Sequence, residues 1–139
     1  MTTQSKHHQQ AFSLLEVLVV FILLGLLLNL AIPVWNQHRL HAGRQQGWKT
    51  LQEIGLAQSV WYSRYQTYFA DFASAGIQKP LDEYYQYRIE LNEQSYTLHA
   101  EIRKTGLQAA DHTCYQLQLD QWGRRQAYDR LGQTTDRCG

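Results

Sequence analysis

The chain has 139 residues and a net charge of +1 at neutral pH. This length allows one compact soluble domain beside a hydrophobic segment. The balanced charge disfavours a strongly basic nucleic-acid-binding module. The sequence has no zinc-ligand spacing, no nucleophile elbow and no glycine-rich phosphate loop. We therefore expect no metal site, no cofactor and no enzymatic activity.

After Met1 the chain has nine polar residues and Ala11, followed by an almost wholly apolar run over residues 12–32. A helix of that length matches the hydrocarbon core of a bilayer. Glu16 is the single charge in the run, and a carboxylate there is costly unless it has a partner. A secretory signal carries its small cleavage-site residue after the apolar region, whereas Ala11 precedes it here.

The polar leader, Ala11 and the sequence Phe12-Ser-Leu-Leu-Glu-Val resemble the class III signal of type IV prepilins and pseudopilins. The resemblance implies that prepilin peptidase cuts between Ala11 and Phe12 and that Phe12 becomes N-methylated. Gly25 and Pro33 match the helix-loosening glycine and kinking proline of many pilins. One position departs from the pattern, because family members usually have glycine where this chain has Ala11.

Glu16 has a physical use in such a protein. Cleavage creates a positive amine at Phe12, and methylation keeps that charge. In a bundle of parallel helices, Glu16 of one subunit would neutralise the Phe12 amine of the next and set their axial stagger. The alternative is a lone glutamate that reaches water from a simple membrane anchor. We also expect Asn29, on the same face as Gly25, to hydrogen-bond to a neighbouring helix.

After Pro33 the pattern still predicts helix, to about Gln66, with one apolar face that packs on a sheet. The opposite, solvent face is predicted to include Arg44. The core face comprises Leu40, Trp48, Leu51, Ile54, Gln58, Trp61 and Tyr65.

From residue 85 onward the spacing of apolar residues changes from that of a helix to every second residue, as in a strand. Alternation over residues 85–91 and 96–102, with a turn at residues 92–95, predicts a hairpin. A third strand is predicted over residues 114–120 and a short fourth over residues 125–128. We expect His99, within the hairpin, at the surface.

Cys114 and Cys138 are the two cysteines of the chain. A disulfide between them would place the domain in an oxidising compartment, and two free buried thiols are the alternative. The resemblance to pilins, and more loosely to PilE-like minor pilins, favours a bridge that closes the C-terminal region.

These observations predict an α+β, pilin-like fold in which a long N-terminal helix packs on a meander of three or four antiparallel strands. We expect a leader at residues 1–11, a transmembrane and filament-core helix at 12–34, and a globular domain at 35–139. Cations at Lys6 and at Arg39 and Arg44 leave the orientation by charge ambiguous. The resemblance and the disulfide place the domain in the periplasm, on an inner-membrane protein that later joins a surface pilus.

Three functions follow from the resemblance. The first is a structural subunit, a minor pilin of a type IV pilus for adhesion, twitching motility or DNA uptake. Its partners would be other pilins, prepilin peptidase, the assembly platform and, before assembly, membrane lipid. The second is a type II secretion pseudopilin, which the disulfide and Pro33 disfavour. The third is a DNA-binding pilin for transformation, which interleaved aspartates disfavour, with a basic stacking patch of Trp122, Arg124, Arg125, Arg130 and Arg137.

Overall fold

The structure, a computed structural model, describes residues 13–139, with the side chains of residues 30–33 left aside. One helix, α1 (Leu14–Tyr65), is followed by four strands. The strands are β1 (Tyr85–Asn92), β2 (Ser95–Ile102), β3 (Gln116–Asp120) and β4 (Arg125–Tyr128). The chain divides into two units, Met1–Gln37 and His38–Gly139.

In the first unit, the described residues belong almost entirely to α1. The helix is long and apolar enough to cross a membrane, and its apolar side chains from Leu14 to Leu28 are exposed in the isolated chain. The helix continues without interruption through Gly25 and Pro33. Exposed leucine, valine and phenylalanine side chains over so many turns require lipid or other helices around them.

In the second unit, the four strands form one antiparallel sheet in the order β1-β2-β3-β4. The predicted hairpin is confirmed, since Asn92 pairs with Ser95 across a turn formed by Glu93 and Gln94. The predicted fourth strand is also present, and it forms one edge of the sheet. The third strand begins at Gln116, two residues later than predicted. Cys114 instead lies in the preceding loop and is completely buried.

The core lies between the second half of α1 and one face of the sheet. Trp48, Leu51 and Ile54 of the helix are buried, together with alternate residues of the strands. The strand contributions are Tyr85, Tyr87, Tyr96, Leu98, Ala100, Ile102, Leu117, Leu119 and Ala127. The alternation follows from the pleat of a strand, in which successive side chains point to opposite faces.

Gln58 is a polar residue in this core. Its amide Nε2 donates to the carbonyl of Phe69 at 2.8 Å, and its Oε1 accepts from the Phe69 N–H at 3.1 Å. Both ends of the side chain are therefore satisfied, as burial requires. The pair attaches the loop after the helix to the core.

Three sequence predictions for side-chain exposure are wrong. Tyr65 was assigned to the core face but is 57% exposed, because it lies in the last turn of α1, beyond the sheet. His99 is only 5% exposed, although it lies on the outer sheet face. Side chains of neighbouring strands cover it, including Glu90 at 3.0 Å and Gln116 at 2.9 Å. The third, Arg44, is half-buried and binds Asp111.

Candidate functional site

The structure describes only the part of the N-terminal motif from Ser13 onward. Ala11 and Phe12, the predicted cleavage residues, lie outside the described residues. Glu16 is in the first turn of α1 and exposed, a position where the helix dipole favours a negative charge. Ser13 begins this turn, since its carbonyl accepts from the Glu16 N–H at 2.9 Å. The carboxylate is thus available to a partner outside the chain.

Asn29 uses its amide within its own helix. Its Nδ2 donates to the carbonyl of Gly25 at 2.7 Å. Four residues further along, Pro33 has no N–H to donate to the Asn29 carbonyl. Gly25, Asn29 and Pro33 therefore share one face on which the helical hydrogen bonding is weakened.

The C-terminal segment is held to the folded unit by the Cys114–Cys138 disulfide, with a Cα–Cα distance of 5.7 Å. Trp48 of α1 adds a hydrogen bond from its Nε1 to the carbonyl of Cys138 at 2.6 Å. The predicted pairing is therefore present, and both cysteines are buried. The bridge and the indole together hold the last residues of the chain against the helix.

A buried carboxylate organises the loop between β2 and β3. Asp111 accepts hydrogen bonds from Arg44 Nε at 2.7 Å and Arg44 Nη2 at 2.9 Å. It also accepts from Gln108 Nε2 and from the N–H groups of Thr113 and Cys114. Burial raises the pKa of Asp111, but the hydrogen bonds from Arg44 and the Cys114 N–H outweigh burial and hold the pKa below its usual value. The cluster positions the loop that carries Cys114.

The turn between β3 and β4 presents an exposed aromatic side chain beside an arginine. Asp120 Oδ1 accepts from the N–H groups of Trp122 and Arg124, and its Oδ2 accepts from Arg124 Nε at 2.6 Å. Gly123 takes the left-handed conformation that this turn needs, with φ of 77°. Trp122 remains 67% exposed, and the Arg124 guanidinium lies 4.8 Å from the indole centroid. The turn therefore holds a stacked pair of groups toward solvent.

The other arginines of the predicted patch lie in the edge strand β4 and in the segment after it. Arg125 begins the strand, and its guanidinium lies 5.1 Å from the centroid of the Trp48 ring. Arg130 follows the strand, and its Nη1 lies 3.4 Å from His112 Nδ1. The backbone carbonyl of Arg137 accepts a hydrogen bond from Arg44 Nη1. Among residues 13–139, Arg125, Arg130 and Arg137 form no ion pair with a carboxylate, while Arg124 pairs with Asp120. The patch thus combines Arg124 in the β3–β4 turn, Arg125 in the edge strand β4, and two arginines, Arg130 and Arg137, in the C-terminal segment that follows.

Two features have no signal in the sequence: the Arg44–Asp111 pair and the backbone conformation of Gln66. Arg44 was expected on the solvent face of the helix, and Asp111 had no assigned role. The two residues are 67 positions apart, so no local periodicity connects them. Gln66, directly after α1, has a positive φ of 56°, which is uncommon for a residue other than glycine. Its sequence context contains no signal for this conformation.

The fold defines the class of protein. A structure entitled "High-Resolution Structure of a Type IV Pilin from Shewanella oneidensis" matches with a TM-score of 0.50 and 20% identity. The match covers 62% of this chain and 89% of that one. The chain therefore has the type IV pilin fold, with a long N-terminal helix, a four-stranded antiparallel sheet and a C-terminal disulfide.

The family follows from two sequence matches. Residues 33–118 match the family described as "Type IV minor pilin ComP, DNA uptake sequence receptor". Residues 6–28 match the prokaryotic N-terminal methylation motif. The chain belongs to this family of type IV minor pilins. A search for similar curated proteins returned no match.

Membership confirms several predictions. The chain is a minor pilin, a structural and non-enzymatic protein whose partners belong to the pilus machinery. Its apolar N-terminal helix is consistent with residence in a membrane and then in a pilus. The matched family also supports the third sequence hypothesis, the DNA-binding pilin, better than a general structural subunit or a pseudopilin.

Proposed function

We propose that this chain is a minor pilin that binds DNA for uptake during transformation. The observation that carries the proposal is the match of residues 33–118 to the family described as a DNA uptake sequence receptor. The near-zero net charge limits long-range attraction to DNA, so binding must depend on a local surface.

The exposed arginines of β4 and of the C-terminal segment after it are the residues that best fit this role. Guanidinium groups bind phosphate oxygens in a bidentate manner, and Arg125, Arg130 and Arg137 form no ion pair with a carboxylate among residues 13–139. Trp122 offers an exposed indole that can stack on a base or wedge between base steps. These residues follow the matched segment, which ends at residue 118.

DNA titration of the full-length mature subunit in detergent micelles tests this proposal. Fluorescence anisotropy would be recorded with a labelled duplex over a range of salt concentrations. We expect an Arg125→Ala/Arg130→Ala variant to bind more weakly and its salt slope to fall by about one per lost phosphate contact. Arg88→Ala is the matched control, because Arg88 is exposed on β1 at the opposite edge of the sheet.

Two results would count against the proposal. Absence of duplex binding by the wild-type subunit at physiological salt would contradict DNA binding itself. An equal loss in Arg88→Ala and in Arg125→Ala/Arg130→Ala would contradict the placement of the surface, since it would indicate a general charge effect.

For assembly, we infer that prepilin peptidase cuts between Ala11 and Phe12 and that Phe12 is then N-methylated. The matched methylation motif includes both residues and Glu16. Before assembly, the domain would lie in the periplasm, anchored by its membrane helix. The subunit would then join other pilins through the assembly platform. Glu16 would neutralise the Phe12 amine of a neighbouring subunit, while Gly25 and Pro33 would loosen the helix between subunits.

Mass spectrometry and filament shearing test these steps separately. The mature protein should lack residues 1–11, carry one added methyl group and lack the two thiol hydrogens of the disulfide. A Glu16→Ala subunit should still be processed but should be missing from sheared filaments. An intact Met1 would contradict processing, and normal incorporation of Glu16→Ala would contradict the pairing with the amine.

A further inference from the structure

A cleft of about 450 Å³ opens at the end of the folded unit where α1 ends. Its walls come from Tyr62 and Gln66, from Thr67 and Tyr68 in the following loop, and from residues 91–94 of the β1–β2 turn. Its volume lies within the range of small-molecule sites, roughly 300–1,000 Å³. None of the proposed DNA-contacting residues lines it.

Tyrosine rings form one wall. Tyr62 and Tyr68 stack with centroids 4.7 Å apart and an interplanar angle of 25°. Tyr68 also meets the buried Tyr96 edge to face at 4.8 Å, so its ring is fixed from two sides. Tyr62 nevertheless remains 40% exposed, which leaves part of its ring open to a ligand. The wall is therefore a fixed aromatic platform.

Gln66 adds an amide at the point where the helix ends. Its N–H and its Nε2 both donate to the Tyr62 carbonyl, at 2.9 and 3.2 Å. Its φ of 56° lies in the left-handed region, a conformation that is unfavourable for a residue other than glycine. Glycine is the common residue at this position after a helix. Glutamine at this position places a side-chain amide beside Tyr62 in the cleft, whereas glycine would provide no side chain there.

The opposite wall combines the partly exposed Leu91 with three polar side chains and carries little charge. The side chains of Asn92, Glu93 and Gln94 are exposed and make no hydrogen bond with residues 13–139. Glu93 is the single charged side chain at neutral pH among the eight described residues that line the cleft. A carboxylate without a nearby cation repels phosphate groups. The cleft therefore disfavours a nucleic acid and favours a neutral ligand rich in hydroxyl groups.

We propose that this cleft binds a neutral oligosaccharide with β-linked, equatorial rings. The C–H face of such a sugar ring is flat and apolar, so it packs on the exposed part of Tyr62. The hydroxyl groups at its edge donate to and accept from the side chains of Gln66, Asn92 and Gln94. Glu93 accepts a further hydrogen bond from a hydroxyl group. The subunit thus carries a sugar site separate from its proposed DNA surface.

Saturation-transfer difference NMR on the full-length mature subunit tests this site, with cellopentaose and chitopentaose as probes. Lauryldimethylamine oxide micelles suit the experiment because this detergent contains no sugar. We expect transfer to the ring protons of at least one probe. An Asn92→Ala/Gln94→Ala variant changes only exposed side chains at the end of β1 and in the turn, so it should fold and should weaken binding by about fivefold or more. Tyr62→Leu should abolish the transfer. Trp122→Ala, which removes an exposed aromatic residue elsewhere, should leave it unchanged.

Three results would overturn the proposal. The first is no transfer to either sugar from the wild-type subunit. The second is unchanged binding in the turn variant, which would place the sugar elsewhere. The third is transfer to a short DNA duplex through Tyr62 in place of the sugars, which would make the cleft part of the DNA surface.

Discussion

Arg44 and Asp111 form a two-pronged ion pair between α1 and the loop before β3. The Nε–Oδ2 distance is 2.7 Å and the Nη2–Oδ1 distance is 2.9 Å. The Arg44 side chain is 17% exposed and that of Asp111 is 1% exposed, so water screens the pair only weakly. Through Asp111 the contact reaches the N–H of Cys114, and thus the disulfide. One ion pair therefore links helix, loop and C-terminal segment.

Removal of the arginine should strongly destabilise the folded unit. Arg44→Ala leaves the Asp111 carboxylate buried without its cation, which typically costs about 3–5 kcal/mol. Arg44→Lys keeps the charge but loses the planar fork, so it should cost less. Urea unfolding of the mature subunit, followed by tryptophan fluorescence, measures both effects. Equal stability of Arg44→Ala and wild type would show that the pair contributes nothing.

The same pair should make the folded unit sensitive to acid. The pKa of Asp111 is lower in the folded state than in the unfolded chain, where it is about 3.9. The unfolded state therefore binds the proton first as the pH falls. The stabilisation is complete above about pH 5 and decreases as the pH falls through the folded-state pKa. Urea midpoints at about pH 7 and about pH 3 should differ less in Asp111→Asn than in wild type. The comparison with this variant separates Asp111 from Asp120, whose pKa is also lowered.

Two helix glycines should respond in opposite directions to alanine. A Cβ at Gly47 would lie 2.9 Å from the buried Tyr85 ring and 3.0 Å from a Leu117 methyl group. Gly47→Ala should therefore destabilise the fold by about 1–3 kcal/mol. At Gly55 the nearest atom would be the Tyr96 hydroxyl at 3.6 Å, an ordinary contact. Gly55→Ala should stabilise the helix by about 0.5–1 kcal/mol.

Thermal unfolding of the two glycine variants beside wild type checks this prediction. A midpoint that rises in Gly47→Ala would mean that the helix and sheet can separate without cost. A midpoint that falls in Gly55→Ala would mean that the contact at Tyr96 is tighter than its distance indicates.

Loss of the disulfide should lower stability by about 3 kcal/mol in the chain-entropy model, because the bridge closes a loop of 24 positions. A Cys114→Ser/Cys138→Ser variant should unfold at lower urea than the oxidised wild type. Reductant should lower the wild-type midpoint toward that of the variant and leave the variant unchanged. A wild-type midpoint that does not respond to reductant would contradict a stabilising role for the bridge.

Much of the fold was predictable because it depends on short-range patterns. The alternation of apolar and polar residues in Tyr85–Asn92 and Ser95–Ile102 indicates which side chains face the core. The polar turn between the two strands predicts the hairpin. The cysteine pairing needed only the cysteine count and the resemblance to pilins. The class of type IV prepilins and pseudopilins was accessible from residues 11–33, where a cleavage residue, a charge and a proline stand at set spacings.

The sequence by itself therefore determined the class of protein, the membrane-length helix and the strand periodicity, since each depends on residues near one another in the chain. Only the tertiary structure decided which side chains meet across long separations. It buried His99 beneath its neighbours, paired Arg44 with Asp111 and placed Tyr62 opposite the β1–β2 turn. Contacts of this kind depend on how the helix and the sheet pack against each other, and no local pattern encodes that packing.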